Sequence, residues 1–473
     1  MTETIEAPAL STRRRWTVLA ICASALFLVG LDTTIVTVGL SEIGHGLGVG
    51  EQRTAWLVDA YTVTFASLLV TAGAVADRFG RRRVFQTGLV VFALSSLACA
   101  MAPTAEFLVA ARVVQGIGAS MLSPVALAIV VNAMPDPRER AQAIGVWGAM
   151  FGLSMAVGPV TGGALIGLFG WRAVFWINVP VVLIAFVLVR ALVPESRGPR
   201  PRRLDMPGQL LLIALLWITV ATLIEGPRLG WTAPIVLGGY AALILLGVVF
   251  VRVESRVDQP LIEPGLFLIP SFAGAILGAV AVFVAFSVTL LTTTLFLQHV
   301  HGWTPVVAGA ATLPMAVTAT LCAPLSGYLV GRIGPRTPLL LAGACLTAGG
   351  VLLLGLGNGP LLPVLVAAYL CIGAGVGFAN APITDTAVGG LPPHRAGVAS
   401  GTASTARQLG TALGIALAGS AVAAAPTEDF LTAALPALLT VTACGIILLV
   451  VADAAKGRPR NSQPEQSATS PDR

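Results

Sequence analysis

Long apolar runs separated by short polar turns make up most of the chain. A helix needs about 20 apolar residues to cross about 30 Å of hydrocarbon, and fourteen runs approach or exceed that length. In chain order they cover roughly 17–40, 54–76, 84–102, 106–131, 141–166, 171–192, 208–225, 233–251, 272–296, 305–330, 337–356, 361–388, 398–424 and 430–452. The pattern predicts an all-α membrane protein with 14 transmembrane helices.

A stretch rich in glycine and arginine occurs twice. It reads Gly-Ala-Val-Ala-Asp-Arg-Phe-Gly-Arg-Arg-Arg over 73–83 and Gly-Tyr-Leu-Val-Gly-Arg-Ile-Gly-Pro-Arg over 327–336. Gly73 and Gly327 are 254 positions apart, as are the later glycines of the two stretches, and a constant offset indicates an internal repeat. Gly331 stands where an exact repeat would place the acid equivalent to Asp77. The repeat predicts two six-helix bundles with two further helices inserted between them.

Spans and repeat together divide the chain into five segments. We predict a cytoplasmic tail over 1–15, an N-terminal bundle over 16–192, a cytoplasmic linker with two inserted helices over 193–260, a C-terminal bundle over 261–453 and a tail over 454–473. The last segment is polar and charged, with little to bury, so it should be a disordered cytoplasmic tail.

Composition and charge support a lipid environment. Hydrophobic residues make up 56% of the chain and charged residues 11%, whereas soluble domains carry about 25% charge. The net charge of +6 is spread over short turns and forms no basic patch, which argues against a nucleic-acid partner. The arginines concentrate in turns that face the cytoplasm if the N-terminus does. We therefore expect a multi-pass protein of the plasma membrane, the bacterial inner membrane, with both termini cytoplasmic.

Several energy sources and chemistries have no matching motif. The single lysine, Lys456, is followed by glycine, so no phosphate-binding loop of Walker type exists. The four histidines show no metal-binding spacing, and no nucleophile elbow occurs. We expect no cofactor, no metal and no enzymatic activity, and an ion gradient as the source of energy.

Among the charged residues within predicted spans, five are candidates for a functional role, namely Asp32, Asp59, Arg112, Asp385 and Arg407. Each costs about 2.5–3.5 kcal/mol near the bilayer centre, so each needs a partner or a water-filled cavity. At about 1.5 Å per residue, the first three lie at similar depth, roughly 6–10 Å outside the midplane. Asp385 and Arg407 share the inner half of the second bundle, where a structural pairing is favoured over a transport role.

The first three charges allow more than one interpretation. We expect them to line a central cavity, with Asp32 as the proton site, Asp59 recognising substrate charge and Arg112 favouring ionised carboxylates. Asp32 and Arg112 could instead form a buried structural ion pair. Asp59 could instead be a water-exposed acid near its helix end.

Several motifs carry a family resemblance. The 73–83 stretch resembles the signature of the major facilitator superfamily between its second and third helices, and 31–38 resembles the first-helix motif of the fourteen-span drug:proton antiporters. The stretches 112–118, 152–163 and 171–180 look like that family's fourth-helix motif, its fifth-helix antiporter motif and the start of its sixth helix. The resemblance covers about 16–453 and implies multidrug efflux by alternating access, a process that causes antibiotic resistance.

Two of these motifs have mechanical roles to test. The turn residues Gly73, Asp77, Arg78, Gly80 and Arg81 are expected to form a conformational latch, with Asp77 against the positive end of a neighbouring helix. The fifth-helix residues should allow close helix packing, with a bend at the proline between the halves. They are Gly152, Gly158, Pro159 and Gly162.

The sequence thus predicts a proton-coupled secondary transporter that exports amphipathic, cationic drugs or toxic small molecules. Its expected partners are the small-molecule substrate, protons and the lipid bilayer, and it should be a monomer. Export of an endogenous metabolite or antibiotic, and proton-coupled uptake, remain alternatives. A non-transporting membrane receptor or scaffold is an alternative of another class.

Overall fold

A computed structural model describes residues 11–134, 136–197, 205–257, 259–357, 360–388, 393–422 and 429–454. Regular structure within these residues is helical. The helices are α1 (Thr12–Val38), α2 (Leu40–Leu47), α3 (Glu51–Phe79), α4 (Arg81–Ala100), α5 (Ala105–Ala133), α6 (Pro137–Phe169), α7 (Ala173–Trp176), α8 (Asn178–Leu192), α9 (Met206–Leu229), α10 (Pro234–Glu254), α11 (Pro270–Leu295), α12 (Pro305–Ala311), α13 (Leu313–Ile333), α14 (Arg336–Leu354), α15 (Leu361–Val388), α16 (Pro393–Val422) and α17 (Phe430–Ala454). A 3-10 helix (Pro264–Leu268) precedes α11 and a π-helix (Phe296–Val300) follows it. The predicted tail beyond 454, like residues 1–10, lies outside the described residues.

Twelve helical stretches in the described part of the chain are long and apolar enough to cross a membrane. They are α1, α3, α4, α5, α7 with α8, α9, α10, α11 with the π-helix, α12 with α13, α14, α15 and α17. The helices α6 and α16, of 33 and 30 residues, are not among these twelve stretches. The chain is an all-helical, multi-pass membrane protein with about twelve apolar spans.

The two halves of the chain repeat the same packing. In the first half α5 lies against α3 and α4, and in the second half α15 lies against α13 and α14. Gly116 of α5 brings its backbone onto Thr64 of α3, and Gly373 of α15 does the same with Thr318 of α13. These positions are related by offsets of 257 and 254 residues. The sequence repeat is thus also a repeat of close helix contacts.

The bundle has an arginine-rich end, with turns at Gly80 and Gly334, and an arginine-poor end, with turns at Gly48, Gly170, Gly230 and Gly302. The halves meet along a seam between α3 and α16 on one side and between α6 and α12–α13 on the other. At the arginine-poor end, polar contacts cross the seam. Ser41 Oγ lies 2.9 Å from His299 Nε2, and Gln298 Nε2 donates to the carbonyl of Val38 at 3.2 Å.

The inserted pair is attached asymmetrically. The helix α9 packs against both α3 and α16, and therefore against both halves. The Gln209 amide donates to the carbonyl of Ser67 at 2.8 Å, and the rings of Trp56 and Trp217 stack 5.9 Å apart. The Trp56 indole also donates to Glu225 at 3.2 Å. In contrast, α10 packs mainly on α9 and leaves much of its apolar surface exposed.

Candidate functional site

A buried ion pair lies inside the first half. Asp32 of α1 and Arg112 of α5 are both 0% exposed, and Arg112 Nη1 lies 2.5 Å from Asp32 Oδ2. Arg112 Nε donates to the carbonyl of Leu57 at 2.8 Å, and the guanidinium lies over the ring of Tyr61, 4.1 Å from its centre. These contacts tie α1, α3 and α5 together at one level of the bundle.

Two amide side chains complete this network. Gln115 donates to Asp32 Oδ1 at 3.0 Å while its own oxygen accepts from Arg112 at 2.7 Å. Asn178, the first residue of α8, donates to the same Asp32 oxygen at 2.9 Å. Both amides also contact the Ser96 hydroxyl of α4. Asp32 therefore accepts three hydrogen bonds, and its charge is well compensated.

The position of this network corrects one expectation. Asp32 and Arg112 lie among the helices of the first half and do not line a cavity between the halves in this state. The sequence also missed Gln115 and Asn178 as partners, although both belong to recognised motifs. The spacing of three between Arg112 and Gln115 was a usable signal, because residues three apart face one side of a helix.

Asp59 is as fully buried as Asp32 but differs from it in its partners. It is 0% exposed, so it is not the water-exposed acid that was one alternative, and neither oxygen has a hydrogen-bond partner among the described residues. It lies one helical turn after Ala55, whose side chain faces Gly419 of α16, and one turn before Val63, which packs in a cluster with α16. Asp59 is therefore an uncompensated acid on the α3 face at the seam, although it lines neither of the two seam cavities described below.

Two cavities follow the seam between the halves. The first, of about 10 Å³, lies between α2, α3, α11 and α16, where Ala55 and Gly419 line it. The second, also of about 10 Å³, lies between α1, α11 and α16. Its lining is rich in hydroxyl groups and holds no charged side chain among its eight residues, all of which the structure describes.

The intramembrane charges of the second half do not form the expected pair. Arg407 of α16 donates to the hydroxyls of Thr384 at 3.3 Å and Ser404 at 2.9 Å. Asp385 is the neighbour of Thr384 in sequence but points the other way and is exposed. A helix turns its side chains by about 100° per residue, so Asp385 is directed away from Arg407 while Thr384 contacts it.

The turn between α3 and α4 is held within the first half. Arg81 Nη2 lies 2.8 Å from Asp77 Oδ1, so Asp77 faces this arginine and not the end of a neighbouring helix as expected. Arg78 lies near the ring of Phe79. No atom lies within 4 Å of the position that a side chain at Gly73 would take, and the same is true of Gly327.

An acid that the sequence did not single out fastens this turn. Gly80 has φ of 111°, a conformation that favours glycine, and Glu195 lies against it just beyond α8. Glu195 accepts from the backbone N–H of Arg82 at 3.0 Å and so caps the start of α4. The second half has a counterpart, because Arg336 pairs with Asp453 near the end of α17 at 3.1 Å. In each half the basic turn is tied to the end of the sixth helix.

The glycines of α6 have the predicted packing role where the structure describes them. A side chain at Gly158 would collide with Thr34 of α1, and one at Gly162 would collide with Ile35. The carbonyl of Pro159 lies against Gly309 of α12, at the contact between the halves. Gly152 is part of α6, but its surroundings lie outside the described residues.

Metal binding has no candidate in the described residues, where no three His, Cys, Asp or Glu side chains come together. The best-formed polar features are thus the Asp32 network, the isolated Asp59 and the seam cavities. They comprise the compensated charge of Asp32, the uncompensated acid Asp59 and two small cavities between the halves.

Comparison with known proteins gives the family. Residues 22–415 match the model of the Major Facilitator Superfamily. The chain is 40% identical over 417 residues to the multidrug resistance protein Stp of Mycobacterium tuberculosis, covering 87% of this chain and 77% of that protein. It is 37% identical over 408 residues to the methylenomycin A resistance protein of Streptomyces coelicolor, covering 84% and 83%.

A solved structure shares the fold. A bacterial homolog of the human lysosomal transporter Spinster, in an inward-facing and unoccupied conformation, superposes with a TM-score of 0.66 at 19% identity, covering 94% of this chain and 97% of the other. Family match, relatives and fold agree with the repeated six-helix packing. The chain is therefore a member of the Major Facilitator Superfamily, a family of membrane transporters.

Proposed function

We propose that this protein is a proton-coupled exporter of amphipathic drugs that works by alternating access of its two halves. The relatives named above are a multidrug resistance protein and an antibiotic resistance protein, which supports export of toxic molecules. The two small seam cavities support this proposal, because they mark the interface that would open to admit substrate between the halves. In this scheme substrate and protons bind alternately at the interface between the halves.

The observation that carries the proposal is the isolation of Asp59. Burying an ionised carboxylate without a partner is far more costly than burying the protonated acid. Asp59 therefore holds a proton while the seam around it is closed. When the halves separate and water enters, the proton can leave.

Asp32 is a less suitable proton site than Asp59. Three donors, including the Arg112 guanidinium, already stabilise its charged form. Protonating Asp32 would leave the buried Arg112 without its counter-charge. We therefore assign proton exchange to Asp59 and the fixing of α1, α3, α5 and α8 to the Asp32 network.

The same acid accounts for a preference for cations. Once deprotonated, Asp59 presents a single negative charge at the seam, and a cationic drug group would replace the proton as its neutralising partner. Proton and cationic drug then compete for one site. Such competition couples their transport in opposite directions.

The membrane arrangement belongs to the proposal. At about 1.5 Å per residue, α6 and α16 extend about 50 and 45 Å, more than a bilayer core requires. Their glycine and alanine content suits helices that pack inside a bundle, and with them the spans number fourteen. We place the arginine-rich end and both termini in the cytoplasm. The energy comes from the proton gradient, with no cofactor.

The decisive experiment measures proton release on drug binding. Purified protein in weakly buffered detergent solution, with a pH-sensitive dye, is mixed with saturating ethidium, a permanent cation. The wild type should release about one proton per bound ethidium. The Asp59→Asn variant should release none, and everted vesicles carrying it should lose proton-driven ethidium transport.

Two further variants sharpen this test. Glu225→Gln alters an acid that pairs with Arg228 at 2.7 Å, and it should release protons like the wild type. Asp32→Asn should reduce folded stability, with proton release retained in the molecules that fold. Loss of release in Asp32→Asn together with normal release in Asp59→Asn would reverse the assignment.

A second candidate function is export of an antibiotic made by the cell itself. It is favoured by the similarity to the methylenomycin A resistance protein, whose name specifies one antibiotic. A narrow substrate range in a drug-susceptibility panel would support this candidate. A broad range would support multidrug export.

A further inference from the structure

The smaller seam cavity has an unusual polar lining. Its eight residues come from three helices, α1 and the second-half helices α11 and α16. They are Thr33, Thr34, Thr37, Phe286, Ser287, Leu290, Thr411 and Ile415. Five of the eight carry a hydroxyl group and the remainder are apolar. Such a surface suits an amphipathic molecule but offers no counter-charge to an ion.

The four threonine hydroxyls have already used their protons. Each donates to a carbonyl one turn earlier in its own helix, at distances between 2.9 and 3.2 Å. Each oxygen keeps lone pairs but has no proton left to donate to a ligand. The threonines therefore add polarity to the cavity without adding a hydrogen-bond donor.

Ser287 is different from these threonines. It is 3% exposed, and its Oγ has no hydrogen-bond partner among the described residues. Gly414 of α16 packs directly against the Ser287 Cβ, because glycine has no side chain of its own. This contact confines the Ser287 side chain from that side. A buried hydroxyl without a partner is unfavourable, and a ligand that supplies an acceptor removes this cost.

We infer that Ser287 is a specificity-determining residue of this cavity and donates a hydrogen bond to an uncharged acceptor group of the transported molecule, such as a carbonyl or phosphoryl oxygen. Phe286, Leu290 and Ile415 contact the apolar part of the same molecule. This inference rests on the proposed function, because the cavity between the halves is reached only by a molecule that passes along the seam. It adds a neutral polar contact to the charge contact assigned to Asp59.

A hydroxyl network in the second half supports hydrogen bonding, and not charge pairing, on its side of the seam. Tyr369 of α15 stands 257 residues after Arg112, the same offset that relates Gly116 to Gly373. Where Arg112 holds an acid, Tyr369 donates to the Thr293 hydroxyl of α11 at 2.7 Å. The repeat thus places an ionic network in the first half and a hydroxyl network in the second. Ser287 lies on that same helix α11.

The size of the cavity sets the conditions for a test. Pockets for drug-sized ligands measure about 300–1,000 Å³, so this cavity of about 10 Å³ must enlarge as the halves move. Binding should therefore be measured on the full chain in detergent, where both halves are free to move. A matched pair of probes is available in triphenylphosphine oxide, which is neutral with a strong acceptor oxygen, and tetraphenylphosphonium, which is a cation without an acceptor.

Ser287→Ala should weaken binding of triphenylphosphine oxide about three- to tenfold, the effect of one lost hydrogen bond, and should leave tetraphenylphosphonium affinity unchanged. Ser287→Cys keeps the volume with a weaker donor and should give an intermediate affinity for the oxide. Ser120→Ala is the control, because this buried serine of α5 bonds its own helix at 2.7 Å. Asp59→Asn should show the opposite selectivity and weaken only the cation.

Equal weakening of both probes by Ser287→Ala, or no binding of the oxide by the wild type, would overturn the inference. Binding requires no proton gradient, so a failure of proton release on ethidium binding would reject the proposed coupling and leave the Ser287 result intact. Conversely, normal coupling with an unaltered oxide affinity in Ser287→Ala would reject only the Ser287 contact.

Discussion

Two acids at one level of the bundle have opposite surroundings. Asp32 accepts from Arg112, Gln115 and Asn178, whereas Asp59 accepts from no described residue. A charge with several donors is a stable structural element, and an acid without donors gains or loses its proton as its surroundings change. The two aspartates therefore differ in their hydrogen-bond partners because they lie on helix faces with different neighbours.

The structural role of the Asp32 network can be tested through Arg112→Ala. Removing the guanidinium leaves an ionised carboxylate buried and removes the contact with the Tyr61 ring, so we expect a loss of about 3–5 kcal/mol in the free energy of unfolding. Unfolding in mixed micelles with increasing denaturing detergent measures this loss. Arg336→Ala is the control, because its partner Asp453 is largely exposed and such pairs contribute about 0–1 kcal/mol. A loss as small as that of the control would contradict a structural role.

At the scale of helices, glycine decides how closely α1 and α6 approach. Gly158 and Gly162 lie against Thr34 and Ile35 of α1, so each position is filled by the neighbouring helix. In a membrane, helix association depends on such close packing, since lipid removes most of the hydrophobic driving force between helices. The polar lining of the seam depends on it too, because Thr34 is also part of that lining.

Gly158→Ala should disrupt this contact. The added methyl group would overlap the Thr34 side chain, and we expect a destabilisation of about 1–3 kcal/mol together with weaker drug binding. Gly247→Ala provides the matched control, because a side chain there meets open space on the helix α10. That variant should be unchanged or more stable by up to about 1 kcal/mol, as alanine favours a helix. Equal stabilities of the two variants would show that α1 and α6 adjust without cost.

The sequence predicts helices better than it predicts partners. Twelve of the proposed spans coincide with helical stretches, in the described part of the chain, that are long and apolar enough to cross a membrane, because runs of apolar residues bounded by glycine and arginine depend on local sequence alone. The ion pair of Asp32 and Arg112 is one of two alternatives suggested by their similar depth, and the structure contains it. The lack of a partner at Asp59, the ties of the basic turns to Glu195 and Asp453, and the separation of Asp385 from Arg407 depend on which faces meet in three dimensions. In helices that are apolar on all sides, hydrophobic periodicity does not indicate which face contacts a neighbouring helix.

At the scale of the molecule, the two halves are joined by polar contacts at the arginine-poor end. Ser41 contacts His299, and Gln298 donates to the carbonyl of Val38. His299 and Gln298 belong to the π-helix that follows α11, and π-helical turns are often found at functional positions. Opening the bundle at this end requires these contacts to break.

Removing the side-chain contact should therefore favour opening at the arginine-poor end. In the double variant Ser41→Ala with His299→Ala, loss of about 1 kcal/mol should shift the closed-to-open ratio about fivefold. Distances between spin labels at the exposed positions Glu42 and Val307, in a cysteine-free background, report this ratio. Thr440→Ala, which removes a hydroxyl bonded within α17, should leave the distances unaltered. An unshifted distribution in the double variant would show that apolar packing alone closes this end.

The position of α9 has a consequence for lipid-soluble molecules that approach from within the bilayer. The repeat of two bundles would by itself leave two equivalent lateral gaps, one on each flank. On one flank α9 lies across α3 and α16 and screens that gap from the surrounding acyl chains, while on the other flank α6 and α13 meet with no added helix. We therefore expect a compound dissolved in the membrane to enter between the halves from the flank of α6 and α13, because the inserted pair covers only the opposite flank.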